Sequence, residues 1–110
     1  MKRLGALLLL FLLPCASHAQ QAAPNGRAPI NGIVPDSATA VRIAVAVWIP
    51  LYGEASIMKE QPFVAVLQDS VWTVRGTLAS CGPNCVVTGG TVEAKIAKRD
   101  GRILFVTHYQ

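Results

Sequence analysis

Past residue 19, the groups in this chain that could do chemistry are few: Cys81 and Cys85, His108, Tyr52, and the carboxylates Asp36, Glu54, Glu60, Asp69, Glu93 and Asp100. In "SCGPNC" three residues separate the two cysteines, which is not the two-residue spacing of a thioredoxin-type redox motif or a zinc knuckle. Gly82, Pro83 and Asn84 are turn formers, and a tight turn brings two Cα atoms to the ~5.5 Å that a disulfide prefers. A structural disulfide between Cys81 and Cys85 is therefore expected, contributing on the order of 2 kcal/mol in the chain-entropy picture. A catalytic thiol or a metal pair would lack a neighbour, since His108 is the only histidine past the first twenty residues. Acid–base catalysis needs a carboxyl or imidazole whose pKa is displaced inside a pocket. Most of the carboxylates fall at caps, turns or outward positions, and only Glu54, close to Tyr52, suits that role. There is no triad and no metal-ligand cluster, and "TGG" at 88–90 is too weak for a phosphate loop. No catalytic residue, cofactor or metal is expected.

The start of the chain is an address. Lys2 and Arg3 precede an apolar run from Leu4 to Leu13, then Pro14 and the small-residue stretch Cys15 to Ala19. This is the pattern of a secretory signal peptide, with cleavage after Ala19. The apolar run is well short of the about 20 residues a spanning helix needs. A lipid anchor at Cys15 is disfavoured by Pro14, because such sites want a small residue there. Loss of Lys2 and Arg3 leaves eight cations against six carboxylates, or +2, so the basic balance of the whole chain is largely the leader's. The remaining cations are scattered, with a small cluster only at 98–102. That reads as a solvated hairpin tip and not as the basic stripe of a nucleic-acid binder. An even pair of cysteines agrees with a periplasmic or secreted product.

The elements that must position these residues begin late. Residues 20–35 are rich in Pro, Gly and Asn without periodicity, and read as a flexible lead-in. Asp36 or Ser37 supplies a helix N-cap, and Val41, Ala44, Val45 and Trp48 recur at the spacing of one helical face across Ala38 to Ile49. So apolar a helix must lie across a sheet. Pro50 is expected to end or kink it, with Trp48 plugging the core and Tyr52 and Gly53 turning the chain. Strands follow at 63–67, 71–78, 89–98 and 102–109, with hairpin chemistry at Gln68-Asp69-Ser70 and Asp100-Gly101. Alternation puts Trp72, Val74 and Leu78 on one face of the second strand and Thr73, Arg75 and Thr77 on the other. In the third, Val92, Ala94 and Ile96 oppose Thr91, Glu93 and Lys95. The fold class is α+β: one N-terminal helix packed on a curled antiparallel sheet of about four strands, with the domain spanning 36–110.

Three stretches, "AVRIAVAVWIPLYGE", "QPFVAVLQDSVWTVRGTL" and "GGTVEAKIAKRDGRILFVTH", together resemble the bacterial nuclear transport factor 2 fold immunity proteins of polymorphic toxin systems. In that family an amphipathic helix ending in an aliphatic-Pro-aliphatic-Tyr-Gly segment leads to "PF", a "W-x-V-x-GTL" strand, a "GG" opening and a closing hairpin marked "K-x-DG-x-I". The resemblance covers roughly residues 38–108. It implies a cystatin-like, nuclear transport factor 2-like roll that neutralises a cognate toxin or effector by binding it, without catalysis. Here an export leader and the Cys81–Cys85 loop are added to the pattern, which would put the toxin in the periplasm or at the envelope.

Two surfaces could meet such a partner: the 80–88 loop, including Asn84, and the polar strand face of Thr73, Arg75, Thr77, Glu93 and Lys95. Two other readings compete. One is a small-molecule binder or isomerase-like enzyme on the same roll, which a pocket of ~300 Å³ or more with Glu54 pointing inward would favour. The other is a periplasmic enzyme inhibitor unrelated to toxin competition.

Overall fold

The computed structural model describes residues 29–79, 82–86 and 89–110. Residues 1–19, with Ala19 and Cys15, lie outside them, as does Cys81. The elements are helix α1 (Ser37–Tyr52), a short helix α2 (Glu54–Met58), and strands β1 (Val64–Gln68), β2 (Val71–Arg75), β3 (Val92–Ala97) and β4 (Ile103–His108). The strands form one antiparallel meander in the order β1-β2-β3-β4, crossed on one face by α1.

Helix α1 starts where a cap is available. Asp36 has extended backbone, and its carboxylate accepts from the Thr39 N–H at 2.7 Å, satisfying one of the donors that a first turn leaves unpaired. Ala40, Ala44 and Trp48 follow at four-residue intervals and are fully buried, with Val41, Ile43, Val45 and Ile49 packed around them. Small residues at 40 and 44 let the backbone approach the sheet, and Trp48 fills the end of the core. Its ring lies 5.6 Å from that of Phe63.

Pro50 does not end this helix, which runs on to Tyr52. Its missing N–H deletes only the bond to the carbonyl of Ala46, an exposed position, and it falls within the last turn. The stop comes from Gly53, at φ 89°, whose N–H closes onto the Ile49 carbonyl at 2.8 Å. A positive φ there is open to glycine without a Cβ penalty. The chain then makes α2, which sequence periodicity did not disclose because five residues carry too little of it. Its Ile57 is fully buried.

The sheet buries Trp72, Val74, Val92, Ala94 and Ile96 against the helices. Trp72 pairs with Ile96 and Val74 with Ala94, so the inner face is built from facing apolar pairs. Asp69 and Ser70 both take positive φ, 49° and 61°, as a two-residue hairpin loop of the primed type requires. Strand β2 is shorter than expected and stops at Arg75. The Gly76 N–H still reaches the Val92 carbonyl, but the Thr77 N–H turns to the Glu60 carbonyl at 2.7 Å and its hydroxyl to the Pro62 carbonyl. Thr77 therefore leaves the polar strand face, and Leu78 is exposed instead of buried. Between Lys95 and Ile96 the β3–β4 register shifts, with Phe105 and Ile103 as the successive partners, so Leu104 is bulged out.

The expected lead-in is also partly inside the fold. The Ile33 and Val34 N–H groups donate to the Arg99 and Lys98 carbonyls at 3.0 Å each, and the Val34 carbonyl accepts from the Trp72 indole at 2.8 Å. Val34 itself is fully buried. A Cβ at Gly32 would collide with the Lys98 carbonyl oxygen, so glycine is what lets this segment lie against the β3–β4 turn.

Candidate functional site

The expected acid–base candidate, Glu54, is exposed at the start of α2. The carboxylate that does meet other polar groups is Glu60, just beyond that helix. Its Oε1 accepts from the Val92 N–H at 2.9 Å, and Oε2 lies 3.2 Å from His108 Nε2. His108 Nδ1 lies 2.9 Å from the Tyr109 carbonyl, and the ring is 5.5 Å from that of Tyr52. A surface cleft of ≈ 520 Å³ opens beside Tyr52 and His108, but Glu54 does not line it. Both oxygens of Glu60 already accept and both nitrogens of His108 already face acceptors, so the cluster is closed upon itself. It ties the end of α2 to the start of β3 and the end of β4. Local sequence spacing gave no sign of it, because its partners are 32 and 48 residues apart. Among the described residues there is no group of three or more His, Cys, Asp or Glu able to hold a metal ion.

The other face of the sheet is different. Alternation along β2 and β3 aims Thr73, Arg75, Glu93 and Lys95 away from the helices, and the register brings them together: Thr73 opposite Lys95, Arg75 opposite Glu93. Glu93 is only 4 % exposed, yet its Oε2 takes a 2.7 Å hydrogen bond from Arg75 Nε. A carboxylate so covered needs a partner, and the bond and charge of Glu93 in turn raise the Arg75 pKa above its ordinary value. The Arg75 side chain is 62 % exposed.

The flanking strands extend these pairs into two continuous rows. Val66, Thr73, Lys95 and Phe105 form one, and Val64, Arg75, Glu93 and Thr107 the next. Val64, Val66 and Phe105 are 52, 58 and 43 % exposed. The alternation of "FVAVL" separates Val64 and Val66 from Ala65 and Leu67, but no single strand's pattern discloses that they share a face with Arg75 and Lys95, because that follows from the register. Between β1 and β2 the face holds a cleft of ≈ 210 Å³ lined by Val64, Val66, Gln68, Thr73 and Arg75. Asn84 is not part of it. It sits exposed in the turn from Gly82 to Cys85, on the connection between β2 and β3.

A helix crossing one face of a four-stranded antiparallel sheet, with the opposite face open, is consistent with the fold implied by the sequence resemblance, and comparison with known families decides the matter. The profile described as NTF2 fold immunity protein matches residues 39–110. The chain belongs to the NTF2 fold immunity protein family. No curated protein and no solved structure matches it. As an NTF2 fold immunity protein it falls in a family whose role is to bind a toxin, so its surfaces matter more than its interior. No helix among the described residues is long and apolar enough to cross a membrane.

Proposed function

We propose that the chain is an exported immunity-type protein that neutralises a cognate bacterial toxin, or an envelope-acting effector, by binding it. The observation that carries this reading is the family match over residues 39–110, which takes in nearly all of α1, all of α2 and the whole sheet. Export rests on the leader pattern of residues 1–19, with cleavage after Ala19, and places the product in the periplasm or outside the cell. There Cys81 and Cys85 join in a disulfide that stiffens the 80–88 loop. The partner surface draws on Asn84, Arg75, Glu93 and Lys95. The protein blocks and does not transform: the polar cluster at Glu60 and His108 is spent on internal bonds.

The test is protection. Each protein encoded beside this chain is directed to the periplasm with and without it. One of them is expected to arrest growth alone and to be relieved by the full chain. A chain lacking residues 1–19 is expected to bind the same protein in solution but to give no protection. If no neighbouring product is bound or inhibited, the reading fails.

A further inference from the structure

Resting on that reading, we infer that the toxin docks on the outer sheet face through a surface that offers carboxylates ringed by apolar side chains. The two cross-strand rows give the face a definite chemistry. Its only carboxylate among the register positions, Glu93, is covered and already bonded through Arg75 Nε. Beyond the Arg75–Glu93 pair, no carboxylate among the described residues pairs with Arg75 or with Lys95. These two cations are diagonal neighbours across the Thr73–Lys95 and Arg75–Glu93 pairs, on the order of 7 Å apart, so they present one excess positive charge with a planar fork and a point donor side by side. Val64 and Val66 on one flank and Phe105 on the other are exposed apolar walls that would exclude water from an ion pair formed between them, where the pair is worth more than in solvent.

The charge pattern also chooses between occupants. A second copy seated face to face would bring Arg75 and Lys95 against their own equivalents with no free carboxylate to receive them, and like charges in an interface core are disfavoured. An acidic partner finds the opposite. Its carboxylate meets the Arg75 fork, and an adjoining apolar side chain enters the ≈ 210 Å³ cleft between β1 and β2.

The experiment uses the full mature chain and, as probe, each purified product of the adjoining genes, titrated by calorimetry at low and high salt. Arg75→Gln tests the fork directly but uncovers Glu93; Lys95→Glu and Val66→Asp leave the Arg75–Glu93 bond in place and serve if Arg75→Gln unfolds. The product bound by the wild-type chain is expected to lose at least tenfold in affinity at high salt, and at least 100-fold to Lys95→Glu and to Val66→Asp, with circular dichroism of the variants unchanged. Binding of one product to wild type and both variants alike would overturn the docking face while leaving the immunity reading intact. Binding of no product to the wild-type chain would overturn the immunity reading and this inference with it. A wild-type dimer in light scattering that Lys95→Glu dissolves would assign the face to a second copy and overturn the inference.

Discussion

Trp48 concentrates the tension between shape and polarity in this fold. Its ring is fully buried against Phe63, yet its indole N–H, buried with it, has no hydrogen-bond partner among the described residues. Removing the whole ring costs transfer free energy and leaves a cavity, so Trp48→Ala is expected to lower stability by about 3–5 kcal/mol. Trp48→Phe should cost much less, because it also removes an unsatisfied buried donor, a penalty of about 1–3 kcal/mol. Urea unfolding of the two variants checks the order, and equal losses would contradict it. Asp36 gives a second, pH-dependent test. Hydrogen bonds from the Thr39 side chain and backbone hold its pKa below the ordinary 3.8. A depressed folded-state pKa means the contribution is complete above the unfolded value and is lost as pH falls through the folded one. Asp36→Ala should therefore melt lower than wild type at pH 7, the gap narrowing as pH drops through about 3.8 and below, while Asp36→Asn keeps an acceptor and lies between. A gap independent of pH would sink the assignment of the cap.

Helix α1 carries a proline through its last turn and is stopped by glycine three residues later. An interior proline costs about 3 kcal/mol relative to alanine, partly offset by about 0.4–1 kcal/mol from restricting the unfolded chain. Pro50→Ala is expected to stabilise by on the order of 2 kcal/mol and to leave the far-ultraviolet helix signal undiminished; destabilisation would mean that the ring itself is needed for packing. The N-terminal strap makes the converse case. A chain beginning at residue 36 loses Val34 from the core, about 1.5–3 kcal/mol, and strands the Trp72 indole N–H, so it should unfold at least ~2 kcal/mol more easily than one beginning at residue 29. What was legible in the sequence follows the same physics. Strands and inner-facing residues such as Val74, Ala94 and Ile96 were readable because period-2 alternation is strong over five or six residues. The strap was not, because its bonds run from Ile33 and Val34 to Arg99 and Lys98, and Pro- and Gly-rich composition says nothing about such distant partners. Half of the outer face was readable from β2 and β3. Its apolar walls came into view only once the register joined β1 and β4 to it.

Taken whole, the molecule divides its labour between its two sheet faces: one is consumed by the helices, the other stays open. The meander topology carries a consequence for how such a scaffold can change. Neighbouring strands are neighbours in sequence, and β1–β2 and β3–β4 are joined by short turns, whereas the excursion from β2 to β3 runs over residues 76–91. Doubling the length of such a segment raises the entropy of closing it by only about 0.6 kcal/mol. Its two ends are pinned, Thr77 to the Glu60 carbonyl and Gly90 to the Tyr109 carbonyl, and insertions and deletions between those points are thus nearly neutral for the ladder on either side. A lineage pressed by a drifting adversary can rewrite that stretch generation after generation while the architecture beneath it is inherited intact.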